Sequence, residues 1–359
     1  MIEAQDTISG AHLAVGRAVD QLRRQLGICF QEDNGEMLGA CPIEALTPGI
    51  LARLRALPAA RLHLLLTGAR ARSLGFPAKD ARCVRIDAQN LPMPEILALA
   101  DPLADAVPRR DITLLPASPS QDMLLRLAKY ASLLPALLTV ESNTLPPDWL
   151  RVSASDATVY WANPPLDIVP LAKAPLPIKG AEQATLTCFR TRWGTSTHLA
   201  LIVGNPAADA SLVRIHSSCV TGDILGSLRC DCGSQLQLAL EQITQAGSGI
   251  FIYLHQEGRG IGIANKLRAY ALQEKGLDTY EANLMLGFDE DERDFALAAG
   301  ILKKLGVKKI RLMTNNPGKL KALEKAGITI AERVPLVAES GRHNHSYLEA
   351  KAKKSGHLF

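Results

Sequence analysis

Three cysteines crowd one short loop of this chain, in the run Cys219-Val-Thr-Gly-Asp-Ile-Leu-Gly-Ser-Leu-Arg-Cys230-Asp-Cys232-Gly. A borderline-soft ion such as Zn²⁺ is held by thiolates in a tetrahedron, and a catalytic site keeps one corner open for water. Three sulfurs and one open position fit that pattern. A structural zinc site would want a fourth ligand, and His216 is the local candidate. The alternative is three small core residues, but Cys-x-Cys beside Asp231 and Gly233 is poor core sequence.

Other chemistry-bearing runs follow. Gln256-Glu-Gly-Arg-Gly-Ile-Gly262 sits between an apolar run and a helical pattern. Glycines let backbone amides approach phosphate, a helix N-terminus favours negative charge, and Arg259 adds a bidentate donor. Thr314-Asn-Asn-Pro-Gly-Lys319 ends the next strand–helix unit in the same way. Two such turns place a polyphosphate at the carboxyl edge of a sheet. Asp289-Glu-Asp-Glu-Arg-Asp294 is a charge run that by itself reads as the solvated, acidic start of a helix. Read alone, Tyr270 is a helical tyrosine at the core surface, and Arg342-His-Asn-His345 is a metal pair or a solvated loop.

These runs need elements to position them. Apolar periodicity predicts helices over 14–26, 47–56 and 120–134, with strands at 27–30, 62–67 and 136–140. Downstream it predicts strands at 184–190, 197–203, 211–216, 249–254 and 308–313, and helices at 235–245, 263–274, 293–305 and 318–326. Five prolines between Trp161 and Ile178 read as a linker with an edge strand. The expectation is an α/β (α+β) chain of two domains, 1–165 and 183–359, joined by a proline-rich linker at 166–182. The C-terminal domain is expected to hold a mixed sheet, flanking helices and the zinc loop.

Composition narrows the function classes. The chain has 359 residues, 47% hydrophobic and 4% aromatic, with a formal net charge of +4. That charge is too mild for a nucleic-acid binder and suits an anionic small substrate. Seven cysteines, odd in number and irregular outside the loop, point to metal or catalysis rather than disulfides. The polar start Met1-Ile-Glu-Ala-Gln-Asp and the lack of a membrane-spanning apolar run read as a cytoplasmic protein with no membrane partner.

Together the runs from Arg214 to Cys219, Thr221 to Asp223, Ser227 to Gly233, Gln256 to Gly262, Asn265 to Gln273, Gly276 to Thr279, Glu281 to Asn283, Asp291 to Asp294 and Thr314 to Pro317 closely resemble GTP cyclohydrolase II, as does the ending from Tyr347. The resemblance implies Cys219, Cys230 and Cys232 as zinc ligands, one ion per subunit. In that family zinc makes water a usable nucleophile near neutral pH for attack on C8 of guanine and release of formate. It implies Arg293 acting at the α-phosphorus to displace pyrophosphate, with Asp291 as proton acceptor. An arginine nucleophile is chemically demanding at neutral pH, so a phosphate clamp is the conservative alternative. It implies Tyr270 in the hydrolytic step at the base, favouring full turnover over a formamide product. Arg214, Ile215, His216, Ser217, Ser218, Gln235, Glu257, Gly258, Arg259, Thr279, Thr314 and Lys319 match GTP-contacting positions. Mg²⁺ with the triphosphate and a homodimer are implied as well.

Two departures stand out. The family usually carries Glu where this chain has Ser218, and the segment between Trp193-Gly194 and Arg214 is shorter. The first half resembles 3,4-dihydroxy-2-butanone 4-phosphate synthase from Ala14 to Ala40. Its loop Gln31-Glu-Asp-Asn-Gly-Glu36 is short and lacks an Arg, and Ser118-Pro-Ser-Gln-Asp122 lacks a His. The reading is a catalytically inactive relative kept for assembly or regulation, with Glu32, Asp33 and Glu36 a solvated turn. Two rivals to an active cyclohydrolase are a paralogue with altered substrate or incomplete turnover, and a non-catalytic nucleotide-binding regulator.

Overall fold

A computed structural model describes residues 2–108, 110–163, 167–192, 194–206 and 210–337, with the backbone alone for 2–9. Pro164, Pro165, Trp193, the His343/His345 pair and the ending from Tyr347 lie outside the described residues.

The first half runs α1 (Ile2–Arg23), β1 (Ile28–Gln31), β2 (Met37–Pro42), α2 (Pro48–Arg55), β3 (Arg61–Thr67), α3 (Gly68–Ser73), β4 (Cys83–Asp87), α4 (Met93–Ala100), β5 (Leu114–Pro116), α5 (Pro119–Tyr130), β6 (Ala136–Glu141), β7 (Leu150–Ser153) and α6 (Ala154–Ala162). The second runs β8 (Ile168–Pro175), β9 (Thr185–Thr191), β10 (His198–Val203), β11 (Ser211–Ser217), α7 (Val220–Asp223), α8 (Cys232–Gln245), β12 (Gly249–Leu254), α9 (Ile263–Glu274), α10 (Thr279–Met285), α11 (Ala296–Lys304), β13 (Lys309–Met313), α12 (Pro317–Lys325) and β14 (Thr329–Val334).

Local chemistry explains many of the boundaries. Ser118 and Gln121 form a capping box at α5, with Pro119 at the first helical position. Ser153 with Asp156 and Asp278 with Glu281 do the same at α6 and α10. Helix α1 buries Val15, Ala18 and Leu22 at helical spacing against Ile28 and Phe30.

The chain is α/β, with two seven-stranded mixed sheets. The first has the order β5-β4-β3-β6-β2-β1-β7 and is antiparallel except for β1 beside β7. The second has the order β14-β13-β11-β12-β10-β9-β8. Its β14, β13, β11 and β12 are parallel, and β10, β9 and β8 continue antiparallel. The proline-rich segment supplies β8, whose Pro170 sits beside an irregularity in the pairing. That edge position is where a strand tolerates a residue without an N–H.

Two compact units emerge: Met1–Pro164 with Ile261–Glu292, and Pro165–Gly260 with Arg293–Phe359. The sequence reading placed 261–292 in the C-terminal domain. In the structure α9 and α10 bury Ile261, Ala269, Leu272, Ala282, Leu286 and Phe288 in one cluster with Leu134, which draws them into the first unit. The helix expected from 293 starts only at Ala296, and Asp294 accepts the Ala296 amide at 2.8 Å.

Candidate functional site

In the second unit, β11, β12 and β13 run parallel, so their carboxyl ends open on one edge. The cysteine loop leaves β11, the glycine turn leaves β12, and Thr314 follows β13. Ligands in open α/β sheets favour that edge because strand-to-helix turns present backbone amides there.

The Sγ atoms of Cys219, Cys230 and Cys232 all lie within 4.8 Å of one another, and those of Cys219 and Cys230 are 3.6 Å apart. Zinc–sulfur bonds of about 2.3 Å set a tetrahedral edge of about 3.8 Å, so the spacing fits a three-thiolate ion. Contact with Cys219 raises the Cys230 thiol above its ordinary range, and contact with Cys219 and Cys230 raises that of Cys232, with burial adding to both. Three thiolates so close need a cation, and the donor set fits zinc. Backbone makes room for it: an added Cβ on Gly222 would lie 2.9 Å from Cys230 Sγ and 3.1 Å from Cys219 Sγ. Gly233 abuts the Gly222 carbonyl in the same way, leaving no room for a Cβ there.

Asp223 ties the loop to the sheet. Its carboxylate accepts the Cys219 amide at 2.9 Å and the Tyr253 hydroxyl at 2.9 Å, and lies 3.0 Å from His216 Nε2. The His216 ring stacks between Phe251, at 5.8 Å, and Tyr253, at 5.6 Å. Burial lowers the His216 pKa despite Asp223, so the ring stays neutral. His216 is therefore engaged by Asp223 and stands outside the thiol cluster. Glu257 accepts the Val220 amide at 2.7 Å, joining the cysteine loop to the glycine turn. In that turn Gly258, Arg259, Gly260 and Gly262 all have positive φ, a conformation costly for Arg259 and free for glycine.

Buried cations flank this edge. Arg214 donates to the Met313 carbonyl at 3.0 Å and to Gln235 Oε1 at 2.7 Å, and Gln235 donates to Asp231. Burial lowers the Arg214 pKa to about 10, so the guanidinium remains charged at neutral pH. Lys319 donates to the Ile215 carbonyl at 2.9 Å, with its Nζ 5.1 Å from the Phe295 ring centre. Arg293 lies over the same ring. The Thr314 hydroxyl accepts the Asn316 amide, and Asn316 caps α12 through the Gly318 amide. Ser218 is buried, and its hydroxyl accepts the Gln256 amide at 3.1 Å. Arg214 Nε, His216 Nδ1, Ser217 Oγ and Gln256 Oε1 are buried without a partner. Orphaned polar atoms of this kind call for an explanation, and a bound ligand is one.

The remaining expected residues sit in the first unit. Tyr270 is half-buried on α9, with the Lys266 ammonium 5.7 Å from its ring centre. Thr279 opens α10 and accepts from Gln273 at 3.0 Å. Asp291 is exposed in the irregular run after α10. In the first half, Ser118 donates to Glu32 at 2.6 Å and Ser120 to Asp33 at 2.8 Å, so these acids are more than a solvated turn.

Sequence reasoning missed Tyr253, Gly222 as a cradle, and the tethering role of Asp223. Tyr253 meets His216 only through the β11–β12 register, which leaves no local signal. The spacing of Gly222 three residues after Cys219 was the available hint.

Known proteins resemble the chain along its length. Residues 170–335 match the family model described as GTP cyclohydrolase II. A protein named GTP cyclohydrolase-2 from Azospirillum brasilense is 39% identical over 361 residues, covering 96% of this chain and 94% of that protein. One of the same name from Histophilus somni is 58% identical over 162 residues, covering 45% of this chain and 75% of its own length. Among solved structures, a two-domain 3,4-dihydroxy-2-butanone 4-phosphate synthase from A. baumannii aligns at 16% identity over 90% of this chain and 99% of its own, with a TM-score of 0.33.

Proposed function

The chain belongs to the GTP cyclohydrolase II family of hydrolases, and on that premise we propose that it opens the guanine ring of GTP in the riboflavin pathway. The products are a phosphoribosyl diaminopyrimidinone, formate and pyrophosphate. The observation that carries this reading is the convergence of Cys219, Cys230 and Cys232 at the carboxyl end of β11.

Those three thiols would hold zinc, which when bound makes water a nucleophile near neutral pH. Asp223 holds the loop backbone through the Cys219 amide, and Glu257 does so through Val220. Arg214 and Lys319 keep positive charge at the edge where a triphosphate would lie, and the orphaned polar atoms beside them suit a base or phosphate. Arg293 serves at the α-phosphorus as a clamp or nucleophile, with Asp291 taking a proton, and Tyr270 serves the base hydrolysis. Mg²⁺ accompanies the triphosphate, and the enzyme works as a cytoplasmic homodimer. No helix among the described residues is long and apolar enough to cross a membrane. Residues 1–165 carry no synthase activity in this reading, because the short 31–36 acid loop has no Arg and the 118–122 loop offers no imidazole.

Purified protein given GTP and Mg²⁺ should release formate and pyrophosphate and develop the pyrimidine chromophore. Cys230→Ser should lose zinc and formate release together, and formate release that survives it overturns the metal assignment. Ser218 motivates a second reading, since its hydroxyl is spent on the Gln256 amide where the family places a carboxylate. A formamide product without formate would favour that paralogue, and GTP binding without turnover would favour a regulator. Ribulose 5-phosphate should yield no dihydroxybutanone phosphate; its appearance would refute the inactive first half.

A further inference from the structure

Helices α9 and α10 lie within the stretch that matches the family, yet they pack in the first unit. The residues that hold them lie outside that stretch. At the entry, Gly262 has φ +85, and an added Cβ would come within 2.7 Å of Ser132 Cβ. One turn on, Asn265 donates to the Ser132 carbonyl at 2.9 Å. Further along α9, the part-buried Arg268 pairs with Asp101 at 3.3 Å and lies 3.8 Å from Glu44. At the far end of α10, the buried Arg70 donates to the Met285 carbonyl at 3.1 Å. Arg70 also binds Ala98 and Leu99 at the end of α4, so one guanidinium caps two helices where their dipoles favour a cation. Gly287 lets the chain leave against Thr67, which an added Cβ would meet at 2.9 Å.

The last anchor bears on the acid run. Lys129, on α5, reaches Asp289 at 2.9 Å and Glu292 at 2.6 Å, with only 15% of its side chain exposed. Glu292 also accepts the Asp289 amide at 2.8 Å, closing a loop that contains Asp291. A mostly buried ammonium shared by two carboxylates restricts that loop far more than an exposed pair would.

We propose that the N-terminal half is a positioning domain for the reaction. Lys129 and Arg70 fix the helix pair and the acid run that carry Tyr270, Thr279 and Asp291. Lys129 is a positioning residue that touches no substrate. The inference rests on the reading above that those three residues serve GTP turnover.

The test uses the full-length zinc-loaded enzyme with Lys129→Met, Lys129→Arg and, as a surface control, Arg23→Ala. Lys129→Met should keep its zinc content and lower kcat for formate release about ten- to a hundredfold, with a smaller change in KM, as slight misplacement of reacting groups does. Lys129→Arg should recover most of that loss, and Arg23→Ala should match wild type. Should Lys129→Met fail to fold, Glu292→Gln breaks the same pair from the other side and carries the same two outcomes. Wild type without GTP turnover defeats the functional reading. Wild type that turns over while Lys129→Met keeps its kcat, or a loss that Lys129→Arg leaves unrepaired, defeats the positioning role.

Discussion

Replacing Gly222 by alanine should weaken metal binding without touching a ligand. A methyl group there would lie 2.9 Å from Cys230 Sγ, 3.1 Å from Cys219 Sγ and 3.1 Å from Cys232 Cβ. Ordinary heavy-atom contact begins near 3.5 Å, so the Cys230 sulfur must retreat by about 0.6 Å. Metal–ligand distances tolerate only about 0.2 Å. Moving the Gly222 backbone instead is blocked, because its carbonyl is pressed against Gly233. Overpacking of this kind costs about 1–3 kcal/mol, which is about a 5- to 150-fold fall in zinc affinity. Chelator competition on the purified variant measures it, with formate release followed in parallel. Gly226→Ala is the control: it lies in the same loop with φ +63, and nothing stands within 4 Å of an added Cβ. It should lose about 1 kcal/mol of stability to backbone strain and keep its zinc. If Gly222→Ala binds zinc as tightly as wild type, the thiols do not pack around that backbone as described.

Further outcomes are open to measurement. Burial lowers the His198 pKa to about 4 from an ordinary 6.5, with His255 contributing. A base with a depressed folded pKa is more readily protonated in the unfolded chain, so its stabilisation is complete above pH 6.5 and lost as pH falls toward 4. Wild type should lose about 2 kcal/mol more than His198→Asn between pH 8 and pH 5 in urea unfolding, and parallel curves would refute this. Tyr253→Phe removes one donor to Asp223 and should cost about 1 kcal/mol in the same assay while zinc is retained. Arg214→Lys keeps the charge but cannot span both Met313 and Gln235, so kcat/KM for GTP should fall about tenfold at unchanged zinc content.

Local residue types were enough to mark the thiol loop, because three sulfurs within fourteen residues need no tertiary information to suggest a soft metal. They were also enough for the strand–helix rhythm after Gln235, since a buried parallel strand such as β12 is apolar throughout and α8 repeats its apolar positions at helical spacing. The first sheet was less legible. Short strands such as β4 and β7 carry too few residues for alternation to register, and their pairing is set by distant partners. No local pattern could say that Tyr253 would stack on His216, because that depends on the register of two strands joined through α8. Nor could it say that 261–292 would leave the elements before and after it. Residues of α9 and α10 look alike whichever core receives them, and the choice was made by surfaces far away in the chain, where Ser132, Leu134, Arg70 and Lys129 offer complementary shape, carbonyl capping and charge. The chemistry of each group follows from its type, but the neighbour it acts on follows from packing, which sums weak contacts over the whole chain.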